Sequence, residues 1–434
     1  MQLYERGMLD LDRDVNAYLD RFEVKNPFKT PVTAGKLMTQ TAGIPQALIG
    51  LAAPTPEVLQ PLDEYLAAQL PRVNWPPGKL YSYSNLTITL LGYLIQKRSG
   101  LAFNDYIQQN IFQPLEMNRS SFEQPLPGSL ASDLAVGYQY HQGKLESVPF
   151  LYLNIAPAAA LSATAIDMAH FAIAHLQEGR YENRRILAQS TARFMHKQHF
   201  THHPLLPGTA YGFHERLENN LRALGHFGNL RGYTSSLTLI ASENLGIFIA
   251  TNSFNGINDD ILTQFFDHYY PVTRSPTSPA SETNFEPNLE RFRGYYRDLE
   301  YPRHSIGKLT APGRYFRLTA SDNSLLIEPP KIIPGNLMFP ENYEPIRLVP
   351  IEPLLFQRTD NDGYVAFETD KQGNIVYLFN ALNAKIGAYE KLAWYETVPV
   401  QLMLVMVCLL IFLLALVWTA RSWWCDRVAI LPQI

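Results

Sequence analysis

Tyr81-Ser82-Tyr83-Ser84-Asn85 follows a turn, Trp75-Pro76-Pro77-Gly78, and opens an apolar run from Leu86 to Ser99. The run puts Leu86, Leu90, Leu91, Leu94 and Ile95 on one helical face, and Gly100 stops it. A Tyr-x-Asn at the mouth of a helix sets a phenol beside a carboxamide. A phenol next to a cation can shuttle a proton. An amide can donate and accept hydrogen bonds to an acyl substrate. Taken alone the triplet has two readings, because Tyr83 would serve equally well as a core aromatic. The flanking residues decide between them.

The chain has 434 residues, enough for two or three folding units. Hydrophobic residues make up 46%, and 24 Tyr with 23 Phe supply material for large cores. Lys and Arg number 36 against 40 Asp and Glu, a formal net charge of -4. Such a balance lacks the basic excess of a nucleic-acid-binding chain, so no nucleic acid partner is expected. Both cysteines, Cys408 and Cys425, lie in or beside an apolar segment near the C-terminus. The body ahead of them has no disulfide, no thiolate zinc site and no cysteine nucleophile.

Along the chain, Leu9 to Leu19 reads as a short amphipathic helix. Thr33 caps a helix over Ala34 to Gln40, and Thr55 with Pro56 opens another to Gln69. Asn104 caps a helix from Asp105 to Phe112. Thr164 and Asp167 fit a capping box ahead of a helix to Gln177, and a further helix covers Ser190 to His199. Tyr233 to Ile240 and Leu245 to Asn252 then read as a β-hairpin. Pro271 to Pro287 reads as a proline-rich linker. After it, short β-rich runs with turns at Asp322-Asn323 and Gln372-Gly373-Asn374 predict a small β-barrel or sandwich over residues 288–394.

Val398 to Ala420 is apolar apart from Gln401 and Thr419. At about 1.5 Å per residue it spans roughly 34 Å, enough to cross a bilayer. Trp394 and Tyr395 on one side and Trp418, Trp423 and Trp424 on the other resemble interfacial belts. Arg421 and Arg427 follow the run, which favours residues 421–434 in the cytoplasm and the body outside; with no export signal read at the start, a tail-anchored protein whose body stays in the cytoplasm is the alternative. Met1 to Gly7 does not read as a signal peptide but as the middle of a helix ending at Gly7.

Two constellations have bland readings. His196, His199, His202 and His203 have metal-like spacing, yet histidines suit a helix C-terminus and no Cys or acid joins them. Asp360, Asn361 and Asp362 lack the distal Glu of a calcium loop and read as a solvated turn. No metal and no cofactor is expected.

Taken in order, Leu9-Asp10-Leu11-Asp12, Lys25 to Thr33, Leu37 to Pro45, Pro77-Gly78-Lys79-Leu80-Tyr81-Ser82-Tyr83-Ser84-Asn85 and Pro114-Leu115-Glu116-Met117 resemble the class C β-lactamase and DD-peptidase-like serine hydrolases. Gly225-His226-Phe227-Gly228, with Gly232-Tyr233 and Ser235 after it, is similar to their third motif with His in place of Lys. The resemblance covers about residues 1–270. It implies an α/β (α+β) β-lactamase/transpeptidase-like domain, an antiparallel sheet flanked by helices. The small β-rich unit after it resembles the lipocalin-like appendages that some of these hydrolases carry, and the apolar run Val398 to Ala420 then reads as a transmembrane helix.

The activity it implies is acyl transfer through a serine activated by a lysine one helical turn away. Tyr83 then relays a proton to the leaving group. Asn85 hydrogen-bonds the acyl side chain and steadies the lysine. His226 and Gly228 line the substrate from a strand edge, where a backbone N–H completes an oxyanion hole. His226 is expected to donate to a substrate carboxylate and to work best protonated.

This chain departs from that pattern in one respect. No Ser-x-x-Lys precedes Tyr83, and Ser305-Ile306-Gly307-Lys308 comes after both other motifs with a glycine inside it. A start assigned to an internal Met accounts for the missing nucleophile and the missing export signal together. The expectation is a membrane-anchored serine hydrolase whose nucleophile segment is absent from this chain, acting on a β-lactam, a D-amino-acid peptide or an ester. The alternative is an inactive wall-peptide-binding or structural membrane protein.

Overall fold

The structure is a computed structural model that describes residues 1–254, 256–272, 288–329, 344–361, 363–382 and 386–429. A four-stranded antiparallel sheet forms the frame of the first part. Its order is Leu245–Thr251, Tyr233–Ile240, Leu221–Leu230 and His214–Glu218. Strand residues alternate between two cores, as a period of two requires. Ala223, Ile240, Ile247 and Ile249 pack with Leu262 and Phe266 of helix Ile257–Tyr269. Leu224, Leu237, Leu239 and Phe248 pack with Met168 and Ala172 of helix Ala165–Leu176. The sheet is thus covered on both faces by helices, as the resemblance implied.

Helix Asn85–Ser99 lies in a third core. Leu86, Leu90, Tyr93 and Leu94 are buried with Val15, Leu37, Ile44, Tyr65 and Leu66. Ser84 caps it by accepting from the Leu86 amide, and Gly100 ends it at φ 76°. Gly92 faces Pro157 so closely that an added Cβ would sit 2.3 Å from the Pro157 ring.

Several expected helices are shorter. Only Val15–Tyr18 is helical within Leu9 to Leu19, as a 3-10 turn. There the Asp10 and Asp14 carboxylates accept the amides of Asp12 and Asn16, local bonds that compete with a helix ladder. Pro61 splits Thr55 to Gln69 into a 3-10 turn at Pro56–Val58 and a helix at Leu62–Gln69. Asn104 is not a cap: the helix begins at Phe103 and continues into a π-turn over Gln108–Phe112. Helix Gln189–Met195 stops short of His199. Thr164 does cap its helix, but the Asp167 carboxylate turns away to Ser120 Oγ at 2.7 Å and the Arg119 amide at 2.8 Å, so the box is half formed.

The linker read over Pro271 to Pro287 lies outside the described residues from 273 onward, as do Asp362 and residues 430–434 of the tail. Beyond it, eight antiparallel strands close into a barrel, each paired to the next and Gly294–Asp298 to Ala388–Lys391. Closure leaves no free edge. The interior is filled with rings: Phe292 lies 4.6 Å from Phe367, and Phe316 5.1 Å from Tyr389. The outer face carries an apolar row in direct cross-strand register, Leu355, Ala366, Phe379 and Ala388. That row packs with Leu299 against Trp75, Leu80 and Leu206 of the first part.

Beyond the barrel runs helix Val398–Ala429. Its segment Val398–Trp424 is long and apolar enough to cross a membrane by length and composition, and none of its apolar window is buried against the protein.

Gly92→Ala is expected to destabilise the hydrolase-like part by about 1–3 kcal/mol through overpacking against Pro157, although Ala is the better helix former. Urea unfolding followed by circular dichroism checks this. An unchanged midpoint would show that helix and proline separate freely.

Candidate active site

The Tyr81–Asn85 segment is held by its own backbone amides. Ser82 N donates to Gln40 O at 2.9 Å, and Ser84 N to Gln40 Oε1 at 3.0 Å. Asn85 N donates to Gln46 Oε1 at 3.1 Å. Gln40 is itself buried and also accepts from Thr87 Oγ1 at 2.7 Å. The loop before helix Asn85–Ser99 is therefore fastened to the turn that follows helix Ala34–Met38. This places Tyr83 and Asn85 side by side, the Tyr83 hydroxyl donating to Asn85 Oδ1 at 3.2 Å. Asn85 Oδ1 keeps a second lone pair and its NH2 two donors for further partners.

Burial, with the nearby Glu300 carboxylate second, pushes the Tyr83 phenol up to about 12. Such a phenol keeps its proton at neutral pH and acts as a donor.

His226 meets this pair from strand Leu221–Leu230. Its ring centroid lies 6.2 Å from that of Tyr83. Gly228 is two residues further, on the same side of the strand, in register with Ser235; a Cβ there would meet Ser235 Oγ at 2.5 Å. Three of the four expected site residues, Tyr83, Asn85 and His226, are thus brought together, with Gly228 next along the strand.

His226 is expected to work best protonated, and without a ligand the folded chain opposes that charge. Burial lowers its pKa, with the contact of Nδ1 to Phe227 O at 2.9 Å acting in the opposite sense. A carbonyl only accepts, so Nδ1 carries the hydrogen and the neutral ring leaves Nε2 bare.

Two further histidines complete the cluster. His214 Nε2 is 3.2 Å from the Tyr81 hydroxyl, and its ring stacks on His226 at 5.0 Å. His202 Nε2 accepts from the Tyr81 amide at 3.3 Å. The four histidines with metal-like spacing go to separate partners: His196 to His175 at 3.0 Å, His199 to the Tyr211 ring at 3.6 Å, and His202 to Phe379 at 3.8 Å, while His203 Nδ1 accepts the Leu205 amide. Ser305 caps its own 3-10 turn over Ile306–Gly313, between the first two barrel strands, and Pro312 lies inside that turn. It is not presented with Lys308 on a helix face.

The Beta-lactamase family model matches residues 1–267. The chain belongs to this family. Protein flp of Staphylococcus aureus (strain N315) is 25% identical over 271 residues, which are 62% of this chain and 52% of that protein. The putative penicillin-binding protein PbpX of Bacillus subtilis (strain 168) is 29% identical over 178 residues, 39% of this chain and 41% of the relative. The chain spans about half the length of the curated relatives it matches. Among solved structures, the octameric penicillin-binding protein homologue from Pyrococcus abyssi has 20% identity and a TM-score of 0.54, covering 90% of this chain and 84% of its own. SurE has 19% identity and a TM-score of 0.58 over the same shares. Both show the fold, and their coverage extends beyond the family match.

Sequence reasoning missed Gln40, Gln46, His202 and His214. Gln40 lies within the stretch Leu37 to Pro45 and Gln46 directly follows it, and that proximity to a motif-like stretch was the available signal. His202 and His214 had none, because their partners lie far away in the chain.

Burial holds His202 down to about 3, against 6.5 for an ordinary histidine. As pH falls, the unfolded chain takes the proton first. The stability linked to this group is complete above about pH 6.5 and is lost progressively toward pH 3, at up to ~1.4 kcal/mol per pH unit. His202→Gln is therefore expected to lose less thermal stability than the wild type between pH 7 and pH 4. Paired melting curves check it, and parallel declines would contradict it.

Proposed function

We propose that this chain is the body of a membrane-anchored serine hydrolase of the penicillin-recognising superfamily, which cleaves an amide or ester through an acyl-enzyme. The observation that carries the reading is the Tyr83–Asn85 pair at the mouth of its helix with His226 facing it. Tyr83 is the proton donor to the leaving group, Asn85 the amide that holds the acyl side chain, and the strand around Gly228 the wall along which substrate lies. His226 contacts the substrate carboxylate through Nε2. An anion bound there raises the imidazole's affinity for a proton, offsetting the effect of burial. The fold neighbour described as a D-stereospecific amidohydrolase from Streptomyces supports a D-amino-acid substrate; it is 18% identical, with a TM-score of 0.51 over 62% of this chain and 82% of its own. β-Lactams and simple esters fit the same chemistry.

Helix Val398–Ala429 is the anchor. Arg421 and Arg427 after the apolar run support a cytoplasmic C-terminus and an extracytoplasmic body. The proposed units are residues 1–270, a linker over 271–287, the β-rich unit 288–394, the span 398–420 and the tail 421–434.

Acyl-enzyme chemistry needs a serine and a base presented to Tyr83. Ser82 is the only serine ahead of Tyr83, and its side chain is buried. That observation favours a second reading for residues 1–434 taken alone, a non-catalytic module that binds wall peptide. The DNA upstream of Met1 separates the two. An in-frame Ser-x-x-Lys supports the enzyme, and an upstream stop codon rules it out for this product.

In the product carrying that segment, fluorescent penicillin should label the protein covalently, and Tyr83→Phe should lower turnover of a D-amino-acid ester by about 10²–10⁴-fold, the usual range for a lost general acid. Full activity in Tyr83→Phe would remove Tyr83 from the chemistry.

A further inference from the structure

The barrel touches the hydrolase-like part on the loop that carries Tyr83. Lys79 pairs with Glu368 at 3.2 Å and lies 5.3 Å above the Tyr377 ring. The Arg303 guanidinium sits 4.6 Å over Trp75, and His304 Nε2 is 2.7 Å from Asn74 Oδ1. Between these polar contacts lies the apolar row of the barrel's outer face, with Leu80 packed into it.

One contact goes further than docking. His202 lies flat on Phe379, at 3.8 Å and 6° between planes, with Phe200 edge-on at 4.9 Å. From that position its Nε2 accepts the Tyr81 amide. Four amides of the motif are tied to named acceptors. Those of Ser82, Ser84 and Asn85 go to Gln40 and Gln46, within the hydrolase-like part. That of Tyr81 goes to a ring braced by the barrel. The Tyr81 side chain continues the chain of contacts to His214, and His214 to His226.

We propose that His202, braced by Phe379, is a positioning residue through which the barrel fixes the Tyr81–Asn85 motif. The proposal deepens the functional reading above and rests on it for its effect on turnover. In this arrangement the β-rich unit docks on the loop at several points and reaches the backbone amide of Tyr81 through the His202 acceptor. The depressed basicity of His202 is consistent with that role, because only an unprotonated Nε2 accepts an amide hydrogen. Among the ionisable groups packed around this loop, Lys79 is matched by Glu368, and Arg303 by Glu390 at 2.8 Å.

Three variants separate the acceptor from the brace. His202→Phe keeps an aromatic ring on Phe379 and removes the acceptor. His202→Gln restores an acceptor. Phe379→Leu keeps apolar burial and removes the planar brace. The readouts are hydrogen exchange over residues 76–85, the melting temperature, and kcat and KM for a D-amino-acid ester in the product with its serine segment. His202→Phe is expected to exchange the Tyr81 amide at least about tenfold faster, with barrel strands still protected. Its kcat should fall about tenfold with KM within about twofold. His202→Gln should recover most of both, and Phe379→Leu should loosen the same amide even where His202→Phe fails to fold. Wild-type exchange at Tyr81 in His202→Phe or in Phe379→Leu overturns the proposal, and so does a His202→Gln as impaired as His202→Phe. If the wild type turns over no ester, the functional reading fails, and the exchange data still decide the positioning role.

Discussion

Gln40 sits at a backbone φ of 57°, a left-handed conformation that few non-glycine residues adopt. From there its main-chain carbonyl and its side-chain carbonyl both serve the Tyr81–Asn85 segment. A loop buried this deeply has to pair the backbone donors it hides, since unmet donors cost roughly 1–3 kcal/mol each. It pairs several of them by running beside residues 41–43, while the Ser82 hydroxyl is buried without a hydrogen-bond partner. Gly78 N donates to Thr41 O at 2.7 Å and Asn74 N to Gly43 O at 2.8 Å. Gly43 has to be glycine here, because a Cβ would lie 2.1 Å from the Trp75 carbonyl. The site is thus a by-product of backbone satisfaction: the same bonds that make the loop burial tolerable also hold Tyr83 next to Asn85.

The second organising fact is that the barrel has two apolar surfaces. Residues at alternate positions of the same strands fill its interior and cover its docking row. Phe356, Val365, Leu378 and Tyr389 point inward, while Leu355, Ala366, Phe379 and Ala388 point outward. Small alanines on either side of Phe379 let its ring stand clear of the barrel wall. A filled interior makes the barrel a rigid body, so the row it presents keeps its shape on docking.

Much of the fold was legible before the structure. The cap at Thr33, the stop at Gly100, the hairpin over Tyr233 to Asn252 and the barrel's turns depend on neighbours a few residues apart, and short-range chemistry is what a sequence displays. The misreadings came from competition that composition hides. Asp10 and Asp14 turned a periodic apolar pattern into a loop, and Asp167 chose a distant serine over its own helix. Of the candidate site, Tyr83, Asn85 and His226 were found because ordered motifs named them. Their companions His202 and His214 bind residues 121 and 133 positions away. No local pattern announces such a pairing. The effect of burial on the His226 imidazole was not legible for a related reason, since enclosure is a property of the folded chain.

The short connection between barrel and apolar helix has a consequence for reach. Residues 392–397 join strand Ala388–Lys391 to the helix, and fully extended they cover only about 20 Å. They are not extended: Trp394–Glu396 is a 3-10 turn, and Glu396 is tied back to Arg297 of the first barrel strand at 3.4 Å. With the helix in a bilayer, the body is mounted on a stub rather than a leash. Such a mounting would limit how far the whole body could swing away from the lipid surface.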